Sequence, residues 1–135
     1  MDVNDYLDPK AAANEIVRRI LTNEFEALVA GVALDGFDEE PTYLAMHTAF
    51  ERVGEELLEE LTADQVIAVL TKKPELLVEE AQHKNTIREN LESMLFDQWL
   101  NAADLAFETF LAPALAEARK DWSENGAPAA SSPRM

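Results

Sequence analysis

Apolar residues recur at steps of three and four along almost the whole chain, which is the spacing of one face of an α-helix. Only four glycines occur, and no stretch alternates β-branched with polar residues as a strand would. The most regular seam suits packing against another helix and consists of Tyr43, Met46, Phe50, Val53, Leu57 and Leu61. The sequence therefore predicts an all-α fold, a helical bundle of four to six helices with a flexible C-terminal tail.

Capping residues and prolines divide this pattern into helices, because Asp and Thr cap helix N-termini and proline fits the first turn. Asp8 followed by Pro9 is the clearest predicted start, and Asp35 followed by Gly36 is the clearest predicted end. A bend or restart is expected near Asn23, where the phase of the apolar residues drifts. The other predicted starts and kinks are at Pro41, Thr62, Pro74 and Pro113.

A chain of 135 residues is long enough for one domain with its own core and too short for two. Residues 1–124 are therefore predicted to form a single helical domain. Residues 125–135, "NGAPAASSPRM", are small, polar and proline-containing, which is typical of a flexible tail.

The charge balance is strongly acidic, with 27 acidic residues, 11 basic residues and a formal net charge of -16. This balance disfavours direct binding to nucleic acid or to an anionic membrane, since both require a surplus of lysine and arginine. The absence of cysteine fits a reducing compartment. With no secretory signal and no apolar run of membrane-spanning length, the sequence predicts a cytoplasmic protein that does not associate with membranes.

The residue types that most catalytic sites use are scarce. The chain has two histidines and no cysteine, and none of its serines lies in a Gly-x-Ser-x-Gly turn. Its glycines are isolated, so no glycine-rich loop can bind a phosphate. The sequence therefore predicts a protein that is not an enzyme and that carries no cofactor.

One short motif points to a different class of protein. Glu80 and His83 form Glu-x-x-His, the spacing with which one helix of a bundle offers two ligands to a metal ion, and His47 and Glu51 could complete the set. The alternative is a solvated helix end, where the helix dipole favours a histidine. Bundle carboxylate sites use two such motifs and this chain has one, so we expect no metal and retain a helical-bundle metalloprotein as an alternative.

The most informative feature is a run of acidic residues in the second predicted long helix. Between Asp38 and Glu60 there are eight acidic residues and one base, Arg52, whose only partner within the helix is Glu56. Like charges one turn apart destabilise a helix by a few tenths of a kcal/mol per pair. Such a run is typical of a solvated face that maintains solubility, less often of salt adaptation, and also of a surface that binds a basic partner.

We adopt the third explanation as the functional hypothesis: a non-enzymatic interaction or assembly protein that binds a basic protein surface. An alternative is a nucleic-acid mimic that inhibits a DNA- or RNA-binding machine. The predicted partner-binding residues are Glu51, Glu55, Glu56, Glu59 and Glu60.

Two aromatic residues lie outside the main apolar stripe of their predicted helix. Phe96 and Trp99 point away from the stripe that Leu100, Ala103 and Phe107 define. Exposed apolar patches usually mark an interface. The sequence therefore predicts a homo-oligomer that uses Phe96 or Trp99, and that strengthens as added salt screens the net charge.

Overall fold

A computed structural model of the protein describes residues 1–74 and 87–125, and every regular element within these ranges is helical. The elements are α1 (Val3–Leu7), α2 (Pro9–Asn23), α3 (Phe25–Leu34), α4 (Glu39–Glu59), α5 (Ala63–Lys72), α6 (Ile87–Asn101), α7 (Ala103–Ala106), a π-helical segment (Phe107–Leu111) and α8 (Ala112–Asn125). The predicted all-α fold is confirmed. Asn125, assigned to the tail, ends α8. The rest of the predicted tail lies outside the described residues.

Local capping signals place several of the boundaries where the sequence predicts them. The Asp8 carboxylate accepts hydrogen bonds from the backbone N–H groups of Lys10 and Ala11 at 3.1 and 3.4 Å. Thr62 and Gln65 form a reciprocal capping box at the start of α5. Each of these signals depends only on residues within one turn, which is why the sequence reveals them.

Several boundaries differ from the sequence prediction, among them the break at Ala102 between α6 and α7, which was not predicted. The fourth helix begins at Glu39 rather than Pro41, because proline is also tolerated at the third helical position, where its missing N–H would have no intrahelical partner. Helix α1 was not predicted at all. It is only five residues long, too short for a periodic pattern, and an Asp2–Asp5 capping box starts it.

Helix α2 lies at the centre of the fold and contacts α1, α3, α4, α6 and α7. Its buried face combines small and branched apolar side chains, which allows its neighbours to approach closely: Ala12, Ala13, Ile16, Val17 and Ile20. None of the helices in the described ranges combines the length and the apolar character needed to cross a membrane.

The deepest part of the core joins α1 to α4 and α6. Trp99 is fully buried, and its indole N–H donates to the Tyr6 backbone carbonyl at 2.9 Å. The Tyr6 hydroxyl in turn donates to the Leu57 carbonyl at 3.1 Å. Burial raises the pKa of Tyr6, so the hydroxyl keeps its proton and remains a donor.

The prediction that Trp99 forms a self-association surface is therefore wrong. Its ring lies 6.1 Å from that of Tyr6, which shows that α1 covers the face of α6 that the main stripe leaves open. Periodicity indicated correctly that α6 has apolar residues on a second face. It did not reveal that a short N-terminal helix covers that face.

The kink predicted at Pro113 takes the form of the π-helical segment just before it. The Ala112 N–H donates to the Phe107 carbonyl, five residues back, and α8 starts at Ala112 with Pro113 in its first turn. Proline has no N–H to donate to the carbonyl four residues back. A change of hydrogen-bond pattern at this point therefore avoids part of the free-energy cost of that missing bond.

We expect Tyr6→Phe to lower the free energy of unfolding by about 1 kcal/mol, because it removes a buried hydrogen bond to the end of α4. The matched control is Tyr43→Phe, which removes an exposed hydroxyl and should lower stability less than Tyr6→Phe does. Urea denaturation of both variants measures the difference. Equal losses would contradict the role assigned to the Tyr6 hydroxyl.

Candidate functional site: an acidic groove between α4 and α6

The five glutamates predicted to bind a partner are all exposed on or just after α4, but the structure divides them into groups. Glu51 and Glu55 line a groove between α4 and α6. Glu60 forms an ion pair with another helix, and Glu56 and Glu59 lie outside the groove lining. The acidic run is therefore not one uniform surface.

The groove has a volume of about 310 Å³ and acidic walls on both sides. Glu51 and Glu55 form the α4 wall, and residues of α6 form the opposite wall. Two apolar side chains, Leu58 and Phe96, also line it. The remaining lining residues are Glu89, Glu92 and Ser93. Four carboxylates and an aromatic ring thus share one concave surface, which we call the acidic groove.

Gly54 determines how closely Phe96 approaches α4. A Cβ atom placed on Gly54 would lie 2.6 Å from Cε1 of Phe96, a distance that real side chains do not tolerate. The Phe96 ring is partly buried and lies 6.0 Å from the ring of Phe50 and 6.4 Å from that of Trp99. Core packing therefore holds the ring in place while part of it stays exposed in the groove.

A guanidinium group already contacts the groove residues on α6 and α4. Arg88 donates from Nε to Glu92 at 2.9 Å, and from its terminal nitrogen to the carbonyls of Leu58 and Leu61 at 3.0 and 3.1 Å. Within the part of the chain that the structure describes, neither Glu51 nor Glu55 forms an ion pair. The α4 wall of the groove is thus the wall without a cation.

Glu60, one of the predicted partner-binding residues, forms an ion pair with another helix of the chain. Arg19 of α2 donates to both of its carboxylate oxygens, at 2.5 and 2.9 Å, and to Glu15 at 2.8 Å. The hydrogen bond from Arg19 lowers the pKa of Glu60. A carboxylate held in this way already has its basic partner within the chain.

A hydrogen bond to Glu24 raises the pKa of Arg52 most, and the charge of the expected partner Glu56 raises it further. The Arg52 guanidinium forms its ion pair with Glu24, at the junction of α2 and α3, and not with Glu56 one turn along α4. The break in the helix at Glu24 brings that carboxylate next to α4, a contact that spacing along one helix cannot show.

Of the four proposed metal ligands, the structure describes His47 and Glu51, and these two have different surroundings. His47 Nε2 lies 2.9 Å from the Tyr43 hydroxyl. That hydroxyl donates to Asp104 at 2.7 Å, and its hydrogen bond to Asp104 raises the pKa of Tyr43. Glu51 lies in the acidic groove. Among the described residues no group of three or more histidines and carboxylates could hold a metal ion. The other two proposed ligands, Glu80 and His83, lie outside the described residues.

Comparison with protein-family models, with curated proteins and with solved structures found no match for this chain. The function of the acidic groove must therefore be inferred from its own residues. The sequence identified Glu51, Glu55 and Phe96 separately but missed the polar residues of the α6 wall. A signal for that wall does exist, since its residues occupy positions i, i+3, i+4 and i+7 of one helix face: Glu89, Glu92, Ser93 and Phe96.

A double-mutant cycle tests the contact between Gly54 and Phe96. In the native chain we expect Gly54→Ala to leave the free energy of unfolding almost unchanged or to lower it. Displacement of the Phe96 ring offsets the gain in helix propensity, which is roughly 1 kcal/mol. In a Phe96→Ala background the same change should stabilise by about 1 kcal/mol. The expected coupling is about 1–2 kcal/mol, measured by urea denaturation.

The control for this cycle is Gly31→Ala in α3, where an added Cβ would meet no atom within 4 Å. That change should have the same effect with and without Phe96. If the Gly54 and Phe96 changes add to within about 0.5 kcal/mol, the close contact is not what positions the ring.

The ion pairs of α2 predict an acid transition. Hydrogen bonds from Arg18 and then Arg19 hold the pKa of Glu15 at about 2, below its ordinary value of 4.5. A lowered pKa adds stability that is complete above the ordinary value and is lost as the pH falls toward 2. Glu15→Gln should therefore be less stable than the native chain at pH 7, with the difference shrinking toward pH 2. Thermal melts over this range measure it, and a constant difference would contradict the pKa.

Proposed function

We propose that this protein is a non-enzymatic interaction protein, and that its acidic groove binds a basic surface of a partner protein. The observation that carries the proposal is the pair Glu51 and Glu55, which face the groove and form no ion pair within the described residues. Their repulsion costs the helix stability, and nothing within the described chain offsets that cost. A basic partner would offset it.

The distribution of arginines supports this proposal. Arg18, Arg19, Arg52 and Arg88 are each engaged by a carboxylate of the same chain. None of the basic residues in the described ranges forms an ion pair with Glu51 or Glu55, so the charge that complements these two carboxylates would come from outside. Complementary charge of this kind speeds encounter and selects basic partners over acidic ones.

The groove also offers an apolar contact beside its charges. Leu58 and Phe96 line it, and interfaces bind most strongly where an aromatic residue lies beside charged groups that the contact shields from water. A purely solvated face would need no such ring. We therefore favour a binding surface over an acidic face that only maintains solubility.

The test compares two double variants that remove the same charge from α4. Glu51→Gln/Glu55→Gln alters the groove, and Glu39→Gln/Glu40→Gln alters the exposed first turn. A basic protein captured by the native chain from cells that express it should bind the groove variant about tenfold more weakly and the control about as well as the native chain. Affinity for the native chain should also fall as salt rises.

Stability provides an independent check on the groove variant. Removing the Glu51–Glu55 repulsion should raise the free energy of unfolding by a few tenths of a kcal/mol, so weaker binding could not be attributed to unfolding. If both double variants bind the partner equally well, the groove is not the binding surface. If the captured partner is itself a nucleic-acid-binding protein and nucleic acid competes with the native chain, the protein is a nucleic-acid mimic.

Self-association remains a prediction, but only one of its two assigned residues is still available at the surface. Trp99 is buried in the core, so of the two assigned aromatic residues only Phe96 is partly exposed, and it lies in the acidic groove. Two copies meeting at this groove would bring their glutamates together. A basic partner is the better complement to this surface.

A further inference from the structure

We propose that the acidic groove selects arginine over lysine, and that one arginine side chain of the partner stacks on Phe96 while it pairs with Glu51 or Glu55. This inference rests on the proposed function, because it requires a basic partner in the groove. It goes further by naming arginine as the side chain that the groove recognises and Phe96 as the residue that distinguishes arginine from lysine.

The size of the groove is compatible with one long side chain of a partner. Its volume of about 310 Å³ is at the lower end of the range for ligand sites, roughly 300–1,000 Å³. Carboxylates stand on both walls, with the apolar groups of Leu58 and Phe96 beside them. An arginine has a matching form, since its apolar stem ends in a planar group with several hydrogen-bond donors.

The ring of Phe96 provides the selectivity. A guanidinium is weakly hydrated and stacks face to face on aromatic rings, whereas an ammonium is compact and strongly hydrated. Close packing against Gly54, together with the neighbouring Phe50 and Trp99 rings, fixes the orientation of Phe96 before a ligand arrives. A ring that is already ordered loses little side-chain entropy on binding.

The structure already shows a guanidinium bound to two residues of this groove. Arg88 pairs with Glu92 and donates to the carbonyl of Leu58, and both of these residues line the groove. More generally, in the described ranges the permanently charged side chains that form ion pairs are all arginines. The lysines in these ranges form none: Lys10, Lys72, Lys73 and Lys120. Arg18 and Arg19 each donate two hydrogen bonds to one carboxylate, a forked geometry that a lysine cannot provide.

The experiment uses two peptides of equal charge with blocked ends, one alternating glycine with four arginines and the other alternating glycine with four lysines. Isothermal titration calorimetry at about 0.15 M salt measures their affinities for the full-length protein. The arginine peptide should bind about tenfold more tightly, which corresponds to about 1.4 kcal/mol.

Phe96→Leu tests the origin of that preference, since it keeps an apolar side chain but removes the ring. The arginine peptide should then bind no more tightly than the lysine peptide, while the affinity for the lysine peptide changes less than twofold. The matched control is Phe110→Leu, which removes an exposed ring outside the groove and should preserve the tenfold ratio. Thermal melts confirm that both variants are folded.

The outcomes separate this inference from the function on which it rests. Equal affinities for the two peptides would overturn the selection of arginine. A tenfold preference that survives Phe96→Leu would overturn stacking on Phe96 as its cause. The proposed function would still stand if Glu51→Gln/Glu55→Gln weakened both peptides. If neither peptide bound the native chain, the acidic groove would not be a site for basic ligands, and both proposals would fail.

Discussion

The C-terminal end of α4 is the point on which most of this fold depends. Glu59 and Glu60 place negative charge at the negative end of the helix dipole, and the last turn contains no basic residue. Cations from other helices compensate: Arg19 of α2 binds Glu60, and Arg88 of α6 donates to carbonyls at the same end. The Tyr6 hydroxyl adds a third bond there. Helices α1, α2 and α6 are thus all attached to one helix end.

These attachments also produce the acidic groove. Arg88 holds α6 beside α4, and the missing side chain at Gly54 lets Phe96 pack against the helix. Arg19 pairs with Glu60 at the end of α4, whereas Glu51 and Glu55 form no ion pair in the described ranges. Like charges one turn apart, as these two are, oppose helix stability in general. This contrast between paired and unpaired glutamates on one helix is the physical basis of the proposed function.

Phe96 and Trp99 show the limit of a helical wheel. They lie three residues apart on α6, and the sequence assigned both to one exposed patch. The structure buries Trp99 under α1 and leaves Phe96 partly exposed in the groove. A helical wheel gives the direction of each side chain from its own helix axis. It contains no information about whether another element covers that direction.

The sequence by itself determined the all-α fold and the helix boundaries at Asp8, Gly36 and Thr62. Periodicity, capping bonds and a left-handed glycine each involve residues close together in the chain, so they can be recognised from the sequence alone. Only the tertiary structure decided which glutamates are neutralised and which aromatic ring stays exposed. Those outcomes depend on bonds between residues 41 positions apart, as for Arg19 and Glu60, or 93 apart, as for Tyr6 and Trp99. Spacing along one helix cannot encode such contacts, because they exist only when separate helices pack together.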